Sequence, residues 1–182
     1  MVDNISDGNA DSGITSVFKF LSYKVDSFNY EMIKNLNLLE VAGNIKPALW
    51  NFKIGIRQPI YFKDRNYYIC GLSGSISLDN QEGNGDKKAL ISLETGISGI
   101  FKVESSSMNR LTKEEENTVV KFQMPAILLP YLRGAITSFL ANAGLGSVIL
   151  PLVNVQALAT KALEGLDIQV VENSSGQNQS AK

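Results

Sequence analysis

Residues 124–166 constrain the fold of this chain more than any other segment, because they are strongly apolar and repeatedly interrupted. The segment contains no His, no Cys and no pair of carboxylates. A chain that concentrates apolar surface with so little reactive chemistry is expected to bind or assemble rather than to catalyse a reaction. The interruptions are residues that end or kink helices: Pro125, Pro130, Gly144, Gly146 and Pro151.

These breakers divide the segment into a helix, a crossover and a second helix. Residues 129–142 are predicted to be helical, with Pro130 tolerated in the first turn and the apolar side chains near one face. Residues 143–153 are predicted to form an extended crossover. Asn154 is predicted to cap a helix over residues 155–166. Residues 134–153 lack charge and approach the length of a membrane span, but their breakers would leave backbone groups unpaired in lipid, so we expect no insertion.

Strand patterns precede the helices. Residues 17–30 alternate with two shifts in parity, near Phe20 and Ser27, which predicts bulges. Residues 51–57, 67–78 and 88–104 alternate cleanly and are joined by short turns. Thr112 begins a capping box that predicts a helix start. We therefore expect an α+β domain with a four-stranded antiparallel sheet, a meander, and two main helices packed on one face.

Length and composition limit what this domain does. The 182 residues suffice for one domain, expected over residues 16–168, with a disordered N-terminal tail (1–15) and a flexible C-terminal tail (169–182). The net charge is −1, from 17 basic and 18 acidic residues, which gives no electrostatic reason to bind nucleic acid. The start of the chain lacks a signal-peptide pattern, so we expect a cytoplasmic protein.

The sequence offers little for catalysis or for a cofactor. It contains no His and one cysteine, Cys70, which lies in an alternating apolar run and is expected to be a buried small hydrophobe. A P-loop, a dinucleotide-binding glycine motif and a Cys/His cluster are all absent from the sequence. We therefore expect no enzyme, no cofactor and no metal site.

The order of the elements and their connecting sequences resemble the bacterial protein-export chaperone SecB and its relatives, over about residues 17–166. Residues 125–133, PAILLPYLR, are similar to the family's Pro-Asn-Ile-Leu-Phe-Pro-Tyr-Ala-Arg. Residues 151–158, PLVNVQAL, are similar to the family's Pro-Val-Asn-Phe-Asp-Ala-Leu joint with one residue inserted after the proline. The resemblance implies a SecB-like fold assembled as a dimer of dimers, and an ATP-independent holdase that binds unfolded polypeptides in apolar grooves and supports protein export.

The resemblance also suggests positions for function. The groove candidates are Phe28, Tyr30, Trp50, Leu145, Val148 and Leu150, although core packing explains the aromatic residues among them equally well. Ile91, Leu93 and Thr95 correspond to a strand that the family uses in oligomer assembly. Glu31 and Glu94 match acidic positions at which the family docks the translocase motor SecA. A third such position holds Ser27, with Asp26 one place away.

Two alternatives to a general export chaperone stay open. The first keeps the fold but changes the client, to a dedicated partner such as the antitoxin of a toxin–antitoxin system. The second is a structural oligomeric protein that binds no client.

Overall fold

A computed structural model describes residues 18–34, 36, 50–79, 89–104, 110–146, 148–163 and 165–172. The predicted N-terminal tail, residues 1–15, and residues 173–182 of the predicted C-terminal tail lie outside these described residues.

The described strands form one sheet in the order β1-β4-β3-β2-β5. Neighbouring strands among β1 to β4 are antiparallel, whereas β5 pairs parallel to the end of β2. The prediction of a four-stranded antiparallel sheet was therefore wrong: the sheet has five strands and is mixed. The fifth strand is three residues long and lies at the start of a polar segment, too short to show alternation. The strands are β1 Phe18–Met32, β2 Trp50–Phe62, β3 Tyr67–Asp79, β4 Ala89–Val103 and β5 Gln169–Val171.

The predicted bulges in β1 are confirmed. The pairing of β1 with β4 shifts between Phe20 and Ser22 and again between Val25 and Ser27. At each shift, β1 contains one extra residue that has no partner on β4. The apolar side chains that follow therefore stay on the same face of the sheet. A third shift lies in β2, between Arg57 and Ile60, where a bulge accommodates Pro59 inside the strand.

The sheet has one face under the helices, the helix-side face, and one opposite, the outer face. Alternation on β3 and β4 sends Tyr68, Leu72 and Ile97 to the helix-side face, where each is fully buried. Ser73, Ser75 and Glu94 alternate with such residues and lie on the outer face. The hydrophobic core therefore lies in a single layer between sheet and helices.

One helical run, α1, extends over Lys113–Leu145. It begins with the predicted capping box: Thr112 Oγ1 accepts from Glu115 N and Glu115 Oε2 accepts from Thr112 N. The run includes π-helical turns at Val119–Gln123 and Ala141–Leu145. A separate helix that begins at residue 129 was therefore the wrong prediction, since Pro130 lies inside α1.

By length and composition alone, α1 would be able to cross a membrane. Core helices of soluble proteins pass the same test, so the observation carries little weight. The side chains that face the sheet are fully buried against it: Met124, Leu128, Leu132, Ile136 and Leu140.

The chain leaves α1 through a kink at Gly144, inside the last turn, and a second turn at Gly146; their φ angles of 83° and 67° favour glycine. The second helix, α2, spans Val155–Leu163. Asn154 caps it as predicted, with Oδ1 accepting from Ala157 N at 3.0 Å.

Candidate functional site

The helix-side surface contains two open apolar grooves. The first, the β1–α1 groove, has a volume of about 550 Å³ and lies between strand β1 and helix α1. It is open because β1 is an edge strand that extends beyond the cover of the helix, so apolar side chains that a longer helical layer would bury stay accessible. Its lining includes Tyr23, Val25, Phe28, Tyr131, Ala135 and Phe139.

Aromatic pairs form the walls of the β1–α1 groove. The rings of Phe28 and Phe139 are stacked, with centroids 4.8 Å apart and planes at 16°. The rings of Tyr23 and Tyr131 lie 4.4 Å apart. These rings stay accessible, with Phe28 41% exposed and Tyr131 37% exposed. Pre-ordered aromatic surface of this kind binds apolar side chains at little conformational cost.

The second groove, the crossover groove, has a volume of about 300 Å³ and lies between β2 and the crossover. Phe52 and Ile54 of β2 form one wall, because they alternate onto the helix-side face. Leu152 stands at the mouth and is 95% exposed. The remaining lining residues come from the crossover and α2: Pro151, Val153, Asn154, Ala157, Leu158 and Lys161.

Arg133 of α1 holds the crossover in place. Its guanidinium donates from Nη1 to the Pro151 carbonyl at 2.6 Å and from Nη2 to the Leu150 carbonyl at 2.9 Å. Two charge-assisted bonds from a planar group fix the backbone direction at this point. The Leu150 side chain consequently lies in the core, and that of Leu152 is presented to solvent.

The predicted groove residues do not lie together in one groove. Phe28 lines the β1–α1 groove, and Tyr30 packs edge-on against Phe139 with centroids 5.2 Å apart. Trp50 is half-buried at the start of β2, outside both grooves. Leu145, Val148 and Leu150 lie in the hydrophobic core. Their binding of polypeptide stays a prediction. Two of their neighbours on the crossover, Ile149 and Leu152, are exposed large apolar residues.

Sequence reasoning missed Tyr23, Tyr131 and Leu152, which are exposed members of the grooves. The signal for Tyr23 was the parity shift in β1, which moves it to the helix-side face. Tyr131 and Ala135 are four residues apart and share one face of α1 with Ser138 and Asn142. A helix face that mixes apolar and polar residues in this way is typical of the side of a helix that borders solvent, and not of the side that is buried in the core.

The predicted docking residues Glu31 and Glu94 lie on the outer face. Both are exposed, and the strands bring them close together, since Glu94 pairs with Asn29 and Glu31 pairs with Ser92. The surrounding charges are mixed: Lys53 and Arg57 line the same shallow depression as Glu94. Asp26 is engaged by Arg57, by Ser98 at 2.6 Å and by Lys24 at 3.2 Å.

The three residues predicted to take part in oligomer assembly are buried within the protein. Ile91 and Leu93 are fully buried on the helix-side face. Thr95 is also buried and donates from Oγ1 to the Ser27 carbonyl at 2.8 Å. A second copy that met this part of β4 would contact the side chains of opposite parity instead, and an assembly role for these three residues stays a prediction.

Cys70 is fully buried as expected. Burial raises the pKa of its thiol well above the ordinary range, so the nucleophilic thiolate is disfavoured. The sulfur lies 3.3 Å from Met124 Sδ in the core. The arrangement at Cys70 therefore suits packing and not reaction.

No known family profile matches the sequence, and no curated protein matches it. Among solved structures, the fold is similar to that of the SecB-like chaperone Rv1957 of Mycobacterium tuberculosis, solved in complex with a ChAD peptide from the HigA1 antitoxin. The TM-score is 0.55 and the identity 11%, with 75% of this chain and 91% of that chain covered. A protein of unknown function from Streptococcus agalactiae matches at a TM-score of 0.30 and 14% identity. The first likeness supports a SecB-like fold.

Proposed function

We propose that this protein is an ATP-independent molecular chaperone, a holdase that binds non-native polypeptide segments in the β1–α1 groove and the crossover groove. The observation that carries the proposal is the pair of open apolar grooves on the helix side of a SecB-like fold. The grooves present aromatic and aliphatic side chains with few charges, which suits clients that share apolar character rather than a sequence.

The two grooves suit weak binding at several points. Each is too small for a folded domain, but an extended chain fills such a groove with one or two side chains. Several weak contacts on one client chain add up through effective concentration. The proposed mechanism is therefore a reversible hold that needs no nucleotide and no covalent step, and we assign no catalytic reaction to the protein.

Self-association would multiply the grooves, and β1 is the surface that supports it. This strand has 15 residues and pairs only with β4 within the described sheet. Leu21 and Val25 are exposed along it. A long edge strand with exposed apolar side chains is an association surface unless another chain covers it. We propose a homo-oligomer, by resemblance a dimer of dimers, that closes this edge.

A dedicated client is the second candidate, favoured by one observation. The structural neighbour from M. tuberculosis was solved with a peptide from an antitoxin. This chain has the same fold, so a single antitoxin-like client is a specific alternative to a broad range of export clients. For an export role in the cytoplasm, Glu31 and Glu94 would have to dock SecA on an outer face whose charges are mixed.

The proposal is tested by aggregation of a chemically denatured protein after dilution, followed by light scattering without nucleotide. We expect suppression when the chaperone oligomer and the denatured protein are present in equal amounts. No suppression at that ratio, together with a stable oligomer in solution, would instead support a structural protein without a client.

Native co-purification separates the two chaperone candidates. A broad mixture of bound polypeptides is expected for a general holdase, and one dominant polypeptide is expected for a dedicated chaperone. The measurement is identification of the bound chains by mass spectrometry, before and after a wash with a competing unfolded peptide.

A further inference from the structure

A polar cavity of about 410 Å³ lies at the start of α1, away from both grooves. Leu111 and Ile168 contribute apolar surface to it, and the other lining residues are charged or polar. It is bounded by the first turns of α1 and by the segment that leads into β5. The charged and polar lining residues are Arg110, Lys113, Glu116, Asn117, Lys121 and Asp167.

Lys121 is the unusual member of this set. It lies in the π-helical turn Val119–Gln123 and is only 8% exposed. Three other polar or charged residues are buried in the described chain, and each has a hydrogen-bond partner: Thr95, Ser98 and Glu116. Lys121 makes no hydrogen bond or ion pair with any residue that the structure describes.

The Lys121 ammonium opens onto the cavity. Every fully enclosed side-chain nitrogen or oxygen in the described residues has a partner, so the unpaired ammonium reaches the cavity space that its side chain lines. Packing of the apolar stem accounts for the burial of a lysine, but it does not account for the missing acceptor. The ammonium therefore meets the cavity without an acceptor from the described protein, and an anion in the cavity would supply one.

The nearby acids are not equivalent acceptors. Glu116 is occupied, since its Oε1 accepts from Arg110 Nε and from Tyr68, and its Oε2 accepts from Arg110 Nη2. Asp167 remains as the counter-charge to Lys113 and Lys121. Among the residues that line the cavity, three are basic and two are acidic, and one of the acids is already paired with Arg110.

We propose that this cavity binds a small oxyanion, a carboxylate or phosphate group, at the Lys121 ammonium. The ammonium donates to the anion. The site is separate from client binding and does not depend on the proposed chaperone function.

The test uses the full chain with inorganic phosphate and, separately, acetate as probes, at an ionic strength held constant with sodium chloride. Saturable binding of one of them is followed through backbone amide shifts of Asn117 and Ile168. Which probe binds identifies the anionic group. Lys121→Met keeps the apolar stem and is expected to weaken the affinity roughly 10-fold to 100-fold, the range for a hydrogen bond to a charged group.

Two variants control the result. Lys121→Arg keeps the charge and is expected to retain binding, and Lys53→Met on the outer face should bind as the wild type does. If Lys121→Met does not fold, Lys113→Met is measured instead, with a several-fold weaker affinity expected. Absence of saturable binding by both probes, or unchanged affinity in the Lys121 or Lys113 methionine variant, would overturn the proposal.

Discussion

Arg57 on β2 lies across the two intervening strands and donates a hydrogen bond to Asp26 on β1, with Nη1 and Oδ2 2.5 Å apart. The path is open because Gly71 and Gly96 lie beneath the guanidinium. A Cβ atom at Gly96 would lie 2.8 Å from Arg57 Nη1, and one at Gly71 would lie 3.1 Å from Arg57 Nε. Two glycines on neighbouring strands therefore permit an ion pair that ties the edge strand to the rest of the sheet.

The contribution of this ion pair should appear as a pH-dependent difference in free energy of unfolding between wild type and Asp26→Asn. Burial acts to raise the pKa of Asp26, but hydrogen bonds from Ser98, Arg57 and Lys24 outweigh it and hold the pKa below its ordinary value of 3.8. Because the folded-state pKa is lower than the unfolded-state pKa, the ionised carboxyl stabilises the folded protein at pH values above the unfolded-state pKa. This stabilisation is lost as pH falls through the folded-state pKa. Wild type should exceed the variant by about 1 kcal/mol in free energy of unfolding at neutral pH.

The measurement is urea unfolding of both proteins from neutral pH down to about pH 3. The difference between them should begin to shrink below about pH 4, where the unfolded chain takes up the proton first, and should be lost as pH falls through the lowered folded-state pKa. Lys24→Met is the control, because that side chain is 76% exposed and its pair with Asp26 should contribute little. A difference that stays constant across this pH range would contradict the role of the Asp26 charge.

Gly99→Ala and Gly96→Ala should differ because they lie on opposite faces of β4. A Cβ at Gly99 would lie 2.5 Å from Leu128 Cδ2 inside the core, so we expect a loss of about 1–3 kcal/mol in free energy of unfolding. A Cβ at Gly96 would only displace the Arg57 guanidinium. Its effect should be smaller, and it should be non-additive with Asp26→Asn in a double-mutant cycle. Equal losses for the two glycine variants, or full additivity, would be the contrary results.

Tyr68→Phe is expected to change stability at alkaline pH. Burial, followed by the hydrogen bond to Glu116, raises the pKa of Tyr68 far above its ordinary value. The unfolded chain loses this phenolic proton above about pH 10 while the folded chain retains it, so stability falls as pH rises through that range. The variant should show a shallower loss in thermal unfolding between pH 9 and pH 11. Tyr131→Phe, in the β1–α1 groove, is the comparison variant, and an equally shallow slope there would argue against this assignment to Tyr68.

Cys70 should report the opening of the core. The thiol is fully buried and its pKa is raised by burial, so a thiol reagent should react only after the layer between sheet and α1 opens. We expect the labelling rate of native protein to be lower than that of denatured protein by several orders of magnitude. The sequence holds one cysteine, so the signal has one source. Fast labelling without denaturant would show that the core opens locally near β3.

The sequence was sufficient for much of this fold because alternation reports burial directly. The β1 bulges were predictable, since an apolar pattern that shifts parity needs an extra residue in the strand. Strand β5 was not, because three residues show no period and its pairing with β2 is set by tertiary context. The interior position of Pro130 was not predictable either, because α1 continues from Lys113 through a π-helical turn at Val119–Gln123, and such a turn has no pattern in the sequence.

The candidate grooves show a different limit. Leu150 and Leu152 have the same chemistry and the same parity in the sequence, yet one is buried and the other is exposed. The difference comes from the two hydrogen bonds that Arg133 makes to the crossover backbone, a contact between residues 17 and 18 positions apart. Sequence patterning identified the segment as apolar, but only the fold determines which of its side chains meet a client.

Leu152→Ser should separate client binding from folding. Leu152 is 95% exposed at the mouth of the crossover groove, so its loss should leave the free energy of unfolding within about 0.5 kcal/mol of wild type. If an apolar client side chain covers it, the affinity for a fluorescently labelled unfolded peptide should fall several-fold, the size expected for a peripheral apolar contact. The measurement is fluorescence anisotropy beside a denaturant titration of the same protein.

Ile149→Ser is the matched control for this experiment. Ile149 lies on the same crossover and is 75% exposed, but it does not line the crossover groove. Loss of general surface hydrophobicity would weaken the two variants alike, whereas a client seated in the groove would weaken Leu152→Ser alone. Tyr131→Ser extends the comparison to the β1–α1 groove, where loss of the ring removes its contacts with Tyr23 and Phe20. Weaker affinity in Leu152→Ser and Tyr131→Ser, with wild-type affinity in Ile149→Ser, would place the client in both grooves; equal affinities in all four proteins would remove the grooves from the mechanism.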